Sequence, residues 1–188
     1  MPRIKYPEIG VCGLSCRLCP NFRTNAPSRC TGCKSEIRMA VGCPFITCAV
    51  KKKRIEFCWE CEESSACLKW KKHREYGKSY DTFKCYSKLE ENIHFIFLDG
   101  VKEFEKIQKV REKILIEMLR NFNEGRSKSY YCIAATVLPV EELQAALLKA
   151  KKQTEGLDIK PKSQHLHTIL NEIAAHLGYS LRLRKPAS

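Results

Sequence analysis

The sequence predicts a mainly α protein, in which an irregular cysteine-rich metal-knuckle head docks on a helical body, with room for one short pair of strands. Three observations point there. Ten of the twelve cysteines fall between Cys12 and Cys67. That same span shows no sustained 3.6 or 2.0 periodicity. Beyond it, apolar residues recur at steps of three and four over long stretches. A chain of 188 residues accommodates a small metal module followed by a helical one. The expected division is residues 1–84 for the cysteine-rich metal-binding domain and 85–188 for the helical region.

In the head, Gly13, Pro20, Pro27, Gly32, Gly42 and Pro44 interrupt the chain at short intervals, which reads as loop and knuckle. Such a segment buries too little apolar surface to order itself, so metal bonds must supply much of its folding free energy, on the order of 10 kcal/mol per structural zinc site.

The candidate ligands are Cys12, Cys16, Cys19, Cys30, Cys33, Cys43, Cys48, Cys58, Cys61 and Cys67. Cys16-x-x-Cys19 and Cys30-x-x-Cys33 form two knuckles that can face each other around a tetrahedral zinc ion, and Gly32 relaxes the second turn. Cys43-x4-Cys48 and Cys58-x-x-Cys61 offer a second set, although spacing equally allows crossed assignments. Cys12 and Cys67 are then left over as ligands, free thiols, a bridge or small buried hydrophobes. Cys85 and Cys132, outside the cluster, take the last reading. The expected cofactor is Zn2+, about two ions. The alternative is a [4Fe-4S] cluster on the run Cys12-x3-Cys16-x2-Cys19. That spacing also occurs in radical S-adenosylmethionine enzymes, whose barrel is larger than this chain could build. A thioredoxin-like role for Cys58-Trp-Glu-Cys61 lacks the preceding strand it needs.

The N-terminal segment, Met1 to Gly13, has no unbroken apolar region of the signal-peptide kind, and the longest apolar run, Tyr130 to Ala135, is far short of a membrane span. A cytoplasmic protein without a membrane partner is expected. Its reducing surroundings favour metal over disulfides.

The body reads as a series of helices. A short basic helix is expected over Leu68 to Glu75, followed by a turn at Tyr76, Gly77, Ser79 and Asp81. Leu89, Ile93, Ile96 and Phe97 mark a helix ending near Asp99 and Gly100. The clearest stripe then runs Val101, Phe104, Ile107, Val110, Ile114, Leu115, Met118, Leu119 and Phe122, with Lys102, Glu105, Lys106, Lys109, Glu112 and Lys113 on the other side. After the polar loop Asn121 to Ser129, residues 130–138 suit strand and helix equally. Pro139 opens a helix with an apolar face of Val140, Leu143, Ala146, Leu147 and Ala150. Ser163 is the expected N-cap of a last helix whose buried stripe is Leu166, Ile169, Leu170, Ile173 and Leu177, stopped by Gly178. Ser180 to Lys185 alternates with period two, so Leu181 and Leu183 either pair with the Tyr130 region or pack as an extended tail.

The formal net charge of +13 would fall to +9 with two four-thiolate zinc sites in place. The excess is spread along the chain, which favours solubility and weak attraction to polyanions. Two basic segments, Lys51 to Arg54 and Lys69 to Arg74, could contact a protein or nucleic acid; a solvated face is the blander account. Trp59 and Trp70 are expected to pack beside the metal loops. His73, His94, His165, His167 and His176 are scattered with no nucleophile at a motif spacing, and no catalytic set is predicted.

The residues CGLSCRLCP (Cys12 to Pro20), CTGC (Cys30 to Cys33), CPFITC (Cys43 to Cys48) and FCWEC (Phe57 to Cys61), with a final Cys67, resemble an uncharacterised cysteine-rich domain-of-unknown-function family of anaerobic bacteria and archaea. The resemblance implies a domain over roughly residues 10–89 with metal-binding cysteines. It implies no activity. This chain has Ala66 where that family often has proline before the last cysteine.

Overall fold

A computed structural model describes residues 3–185; the first two residues of the N-terminal segment lie outside them. The cysteine-rich span is mostly turns, as its glycines and prolines predict. A single antiparallel bridge, Ile9 to Ser15, closes the loop around Gly13 and leads into a 3-10 turn, Cys16–Leu18. α1 (Glu36–Val41) is opened by Ser35, whose hydroxyl accepts from the Arg38 N–H at 3.4 Å. α2 (Pro44–Ile46) starts on proline and runs into a wider π turn, Thr47–Lys52. A second 3-10 turn covers Cys58–Glu60, where Glu60 Oε2 accepts from the N–H groups of Glu56 and Phe57 at 2.8 and 3.0 Å.

α3 (Leu68–Ser79) is longer than the basic helix expected from the sequence. Gly77 does not end it, because the glycine serves a close approach: an added Cβ would meet Leu89 Cδ2 at 3.0 Å. The turn starts instead at Tyr80. α4 (Leu89–Asn121) is broken at Gly100, whose φ of 85° and ψ of 160° are outside helical space, so the stop expected at Asp99 and Gly100 is a kink between two helical arms. Phe97 and Val110, expected in the buried stripes, are 65% and 38% exposed.

α5 (Lys128–Val137) resolves the ambiguous run as helix. Tyr131, Cys132, Ile133, Ala134, Ala135 and Val137 are all buried, so this helix has no solvent face to impose a period. α6 (Val140–Gln153) follows, with Pro139 as its N-cap. α7 (Ile159–His176) begins after Asp158, not at Ser163. Ser163 is buried inside it and bonds sideways to Tyr131 Oη (3.1 Å), Ser127 Oγ (3.3 Å) and Glu124 Oε2 (2.7 Å). Leu177, expected in the buried stripe, is the C-cap and 40% exposed.

Among its described residues the tail after α7 forms no strand. Leu181 joins the body core, and Arg184 closes a clasp on Asp81. Arg184 donates from Nε and Nη2 to the two carboxylate oxygens, each at 2.9 Å, and its backbone N–H donates at 2.8 Å. Its guanidinium also donates to the carbonyls of Gly77 and Lys78.

The head sits on α4 and α5. Leu18 inserts into the body core beside residues of α4, α5, α6 and α7. Ile9 and Phe57 pack on Ile96 and Phe104, and Leu14 and Trp70 pack on Leu89 and Ile93. Arg17 pairs with Glu8 and Glu112, and Arg23 pairs with Glu112, which fixes the orientation of the contact. No described helix is long and apolar enough to cross a membrane.

Candidate metal centre

Two neighbourhoods of sulfur emerge from the loops. In the first, the Cys30-Thr-Gly-Cys33 turn lies against the Cys16–Leu18 turn, with Gly32 at φ 111° as its knuckle geometry requires. The Cys33 N–H donates to Cys16 Sγ at 3.3 Å. A Cβ added at Gly10 would meet Cys12 Sγ at 3.5 Å and Cys33 Sγ at 3.8 Å, so these two sulfurs flank one point. Arg38 in α1 faces Cys30, Cys33 and Cys19, and its own pKa is raised by the bond to Cys30.

Lys84, which sequence reasoning passed over, donates from Nζ to Cys33 Sγ at 3.0 Å. It sits in the loop between α3 and α4, far from the motifs, and nothing in its spacing marks it. The Cys16 and Cys33 thiols are pushed in opposite directions. The hydrogen bond from the Cys16 thiol lowers Cys33, burial works against this, and Lys84 lowers it further. Cys16 is raised well above an ordinary thiol by the same bond and by burial. Burial opposes the charge of Lys84, yet Cys33, Cys12 and Cys16 outweigh it and hold the ammonium protonated.

The second neighbourhood gathers around Cys58. Burial pushes the Cys58 thiol up to about 12, and Cys12, Cys48, Cys67 and Cys43 each add to the rise. Cys12, Cys58 and Cys67 pack together against Leu14, Trp70, Leu89 and Ile93, and Cys43 joins Cys58 against Val11 and Ile46, all of them half-buried. The expected quartet included Cys61. In the structure Cys61 faces Lys53, whose pKa is raised by Glu63 and then by Cys61. Cys12 and Cys67, left over in the spacing argument, sit with Cys58. A sequence cannot show this, because Cys67 reaches the region through the turn before α3 and Cys12 through the loop after Ile9.

All twelve cysteines are free thiols. Among the described residues, no three His, Cys, Asp or Glu side chains stand close enough as placed to hold an ion. Soft sulfur donors in two neighbourhoods match the chemistry of zinc or an iron-sulfur cluster; their present separations do not amount to a closed coordination shell. Cys132 is buried in α5 with its thiol pushed up to about 12 by burial, and half-buried Cys85 bonds Ser87 at 3.4 Å, which fits the small-hydrophobe reading.

The aromatic surroundings bear out the packing role of the tryptophans. Trp70 is buried, and Trp59 stacks on Phe57 with ring centroids 4.5 Å apart. His73 lies between Phe45, Trp70 and Tyr86, with Nε2 buried and unpartnered among the described residues. Burial, and then the charge of Lys84, keeps it neutral.

Behind the sulfurs stands a second device the sequence did not advertise. Lys34, next to Cys33, is buried and bonds Glu56 Oε1 at 2.8 Å. Glu56 also accepts from the N–H groups of Lys5 (3.1 Å) and Tyr6 (2.7 Å), and Lys34 Nζ lies 3.7 Å from the centroid of the Phe57 ring. The pair ties the CTGC knuckle to the segment leading into Cys58.

With this geometry in view, the chain can be compared with known proteins. Residues 8–72 match a family described as "Protein of unknown function (DUF3795)". The matched DUF3795 stretch contains all ten clustered cysteines, and it ends within α3, earlier than the residue 89 suggested by resemblance. Ankyrin repeat and IBR domain-containing protein 1 of Mus musculus is 27% identical over 130 residues, 68% of this chain and 11% of that protein. The Homo sapiens protein of the same name gives the same figures. The chain thus spans about a tenth of the length of these curated relatives. No solved structure matches it.

Proposed function

We propose that residues 10–67 form a zinc-binding head with two sites, and that the head serves to present cations to the phosphate backbone of a nucleic acid. The observation that carries the metal reading is the Cys58 neighbourhood. The half-buried Cys58 thiol is held protonated by burial and by the sulfurs near it, and a dication that replaces its proton removes that penalty. Cys16, Cys19, Cys30 and Cys33 are the ligands of the first site in this reading. Cys58 with Cys43, Cys48 and Cys67 supplies the four ligands of the second, and Cys12, whose Sγ also flanks Cys33, stands between the two sites. No step of chemistry is assigned to either ion; their part is to hold loops that cannot hold themselves.

The partner follows from what those loops carry. Lys51 and Lys52 come three and four residues after Cys48, and Lys69, Lys71 and Lys72 come shortly after Cys67. All five are exposed and form no ion pair among the described residues, whereas Lys53 pairs with Glu63 and Arg74 with Glu90. Since Cys48 and Cys67 share the Cys58 neighbourhood, the two basic segments leave from one place, where they can follow a phosphate backbone together.

Protein purified without oxygen tests the metal. The expected result is colourless protein with about two zinc ions per chain; brown protein with iron and acid-labile sulfide would establish the cluster alternative and overturn zinc. Cys58→Ser is expected to lose one ion and Cys61→Ser none. Binding to single-stranded and duplex oligonucleotides should weaken with added salt and weaken again in Lys51→Glu/Lys52→Glu. Salt-independent binding, or binding only to protein partners, would refute the phosphate role.

A further inference from the structure

A cavity of about 220 Å3 lies between the head and the body, away from the basic segments and bordering the first sulfur neighbourhood at Cys19 and Lys84. Leu14, Phe95, Phe104, Ile107 and Ile133 give it apolar walls, and Phe83, 45% exposed, stands at its mouth. Into it face polar groups that the fold leaves unanswered. Gln108 is 5% exposed, yet its amide makes no hydrogen bond among the described residues. Ser15 Oγ is likewise buried without a partner.

Arg111 is the decisive wall residue. It projects from α4 and donates from Nη1 to the carbonyls of Ala135 (2.8 Å) and Leu138 (2.6 Å) at the end of α5. Those bonds fix the guanidinium in place without neutralising it. Among the described residues no carboxylate forms an ion pair with it, and burial lowers its pKa, only partly offset by Glu141 and Glu91 at a distance. Glu91 does reach the rim of the cavity, but it is largely exposed and bonded to Lys88 at 2.6 Å. A guanidinium so placed is an anion receptor with its partner missing, since buried charges are ordinarily paired.

We infer that this cavity binds a small organic carboxylate, the carboxylate on Arg111 with Gln108 and Ser15 beside it, and an apolar body against Phe95, Phe104 and Ile133. The volume equals that of about seven waters at ~30 Å3 each, which suits a molecule of roughly ten non-hydrogen atoms. Three cations line the cavity, but Lys88 is bonded to Glu91 at 2.6 Å and Lys84 to Cys33 Sγ at 3.0 Å, so Arg111 is the one without an anionic partner among the described residues; with neutral hydrogen-bonding groups and apolar walls beside it, this favours a monoanion with a hydrocarbon body over a phosphate, which would call for several free cations.

The probes are benzoate, phenylacetate and hexanoate, each set against its primary amide, titrated calorimetrically into the full chain as purified. At least one carboxylate is expected to bind saturably, about tenfold or more tighter than its amide, as a charge-assisted hydrogen bond warrants. Arg111→Met should bring the carboxylate down to the amide's affinity. Thr136→Phe, which fills the cavity from α5 and leaves Arg111 in place, should abolish binding of both while circular dichroism and Tm stay near those of the parent. Should Arg111→Met not fold, the amide comparison and Thr136→Phe decide. Absence of saturable binding by all three carboxylates, equal affinity for acid and amide, or undiminished binding in Thr136→Phe would each overturn the assignment.

Discussion

Replacing Glu56 by glutamine should cost about 3 kcal/mol of folding stability, from one oxygen-to-nitrogen exchange. Lys34 has no solvent exposure at its side chain, and Glu56 has 9%. Removing the negative partner of a buried pair typically costs about 3–5 kcal/mol, because the remaining charge stays buried and unpaired. Glutamine keeps one oxygen, which in the place of Oε1 still accepts from the Tyr6 N–H and from Lys34, while the Lys5 N–H bond to Oε2 is lost, so the low end applies. In a domain whose total stability is about 5–15 kcal/mol, that is a large fraction, and for a chain of this size it lowers Tm by about 6–12 °C. Urea denaturation of the metal-loaded protein measures it. The double variant Lys34→Met/Glu56→Gln supplies the control: with no buried charge left, it should be no less stable than Glu56→Gln alone. A single-variant loss below about 1 kcal/mol, or a double variant as damaging as the two single losses added together, would refute the account.

Gly100→Ala should destabilise by about 1–3 kcal/mol through backbone strain alone, since φ 85° and ψ 160° suit glycine while nothing lies within 4 Å of an added Cβ; denaturant midpoints would show it, and an unchanged midpoint would mean the kink is not held there. Asp81 makes a pH prediction. Burial raises its pKa, but bonds from Arg184 and the Tyr86 N–H more than offset this and leave it below the ordinary carboxylate value. Its contribution is therefore fully present above that ordinary value and is lost as pH falls through the lowered one. Arg184→Ala should be less stable at neutral pH and show a smaller further loss on acidification below the ordinary carboxylate value; a parallel pH profile would contradict this. Ser163→Ala should cost about 1–2 kcal/mol, because Tyr131 and Glu124 lose a shared buried partner.

Much of the body was legible in advance because a helix with one wet face writes its period into the chain. The stripe from Phe104 to Phe122 and the apolar face of α6 are of this kind. α5 was not legible as helix or strand, since burial on all sides erases the alternation either would need. Ser163 misled for another reason: a serine at a plausible N-cap spacing is indistinguishable in sequence from one that bonds sideways within a helix. In the head, the C-x-x-C steps marked the donors, and local turns such as Gly32 followed. What spacing could not reveal was which distant loops meet. Cys12 and Cys67 gather with Cys58 while Cys61 turns to Lys53, and Lys84, Glu56 and Arg111 reach their places only through tertiary contacts.

The Arg184 clasp on Asp81 has a bearing on how the molecule comes into being. The two residues are 103 positions apart, and the loop they anchor holds Lys84 beside Cys33 and Phe83 at the cavity mouth. During synthesis the head and α4 emerge well before residue 184 does. A nascent chain can thus gather its thiols early, while the ammonium that steadies Cys33 and the rim of the cavity await the emergence of residue 184. A contact between residues so far apart in sequence is among the slower ones to form.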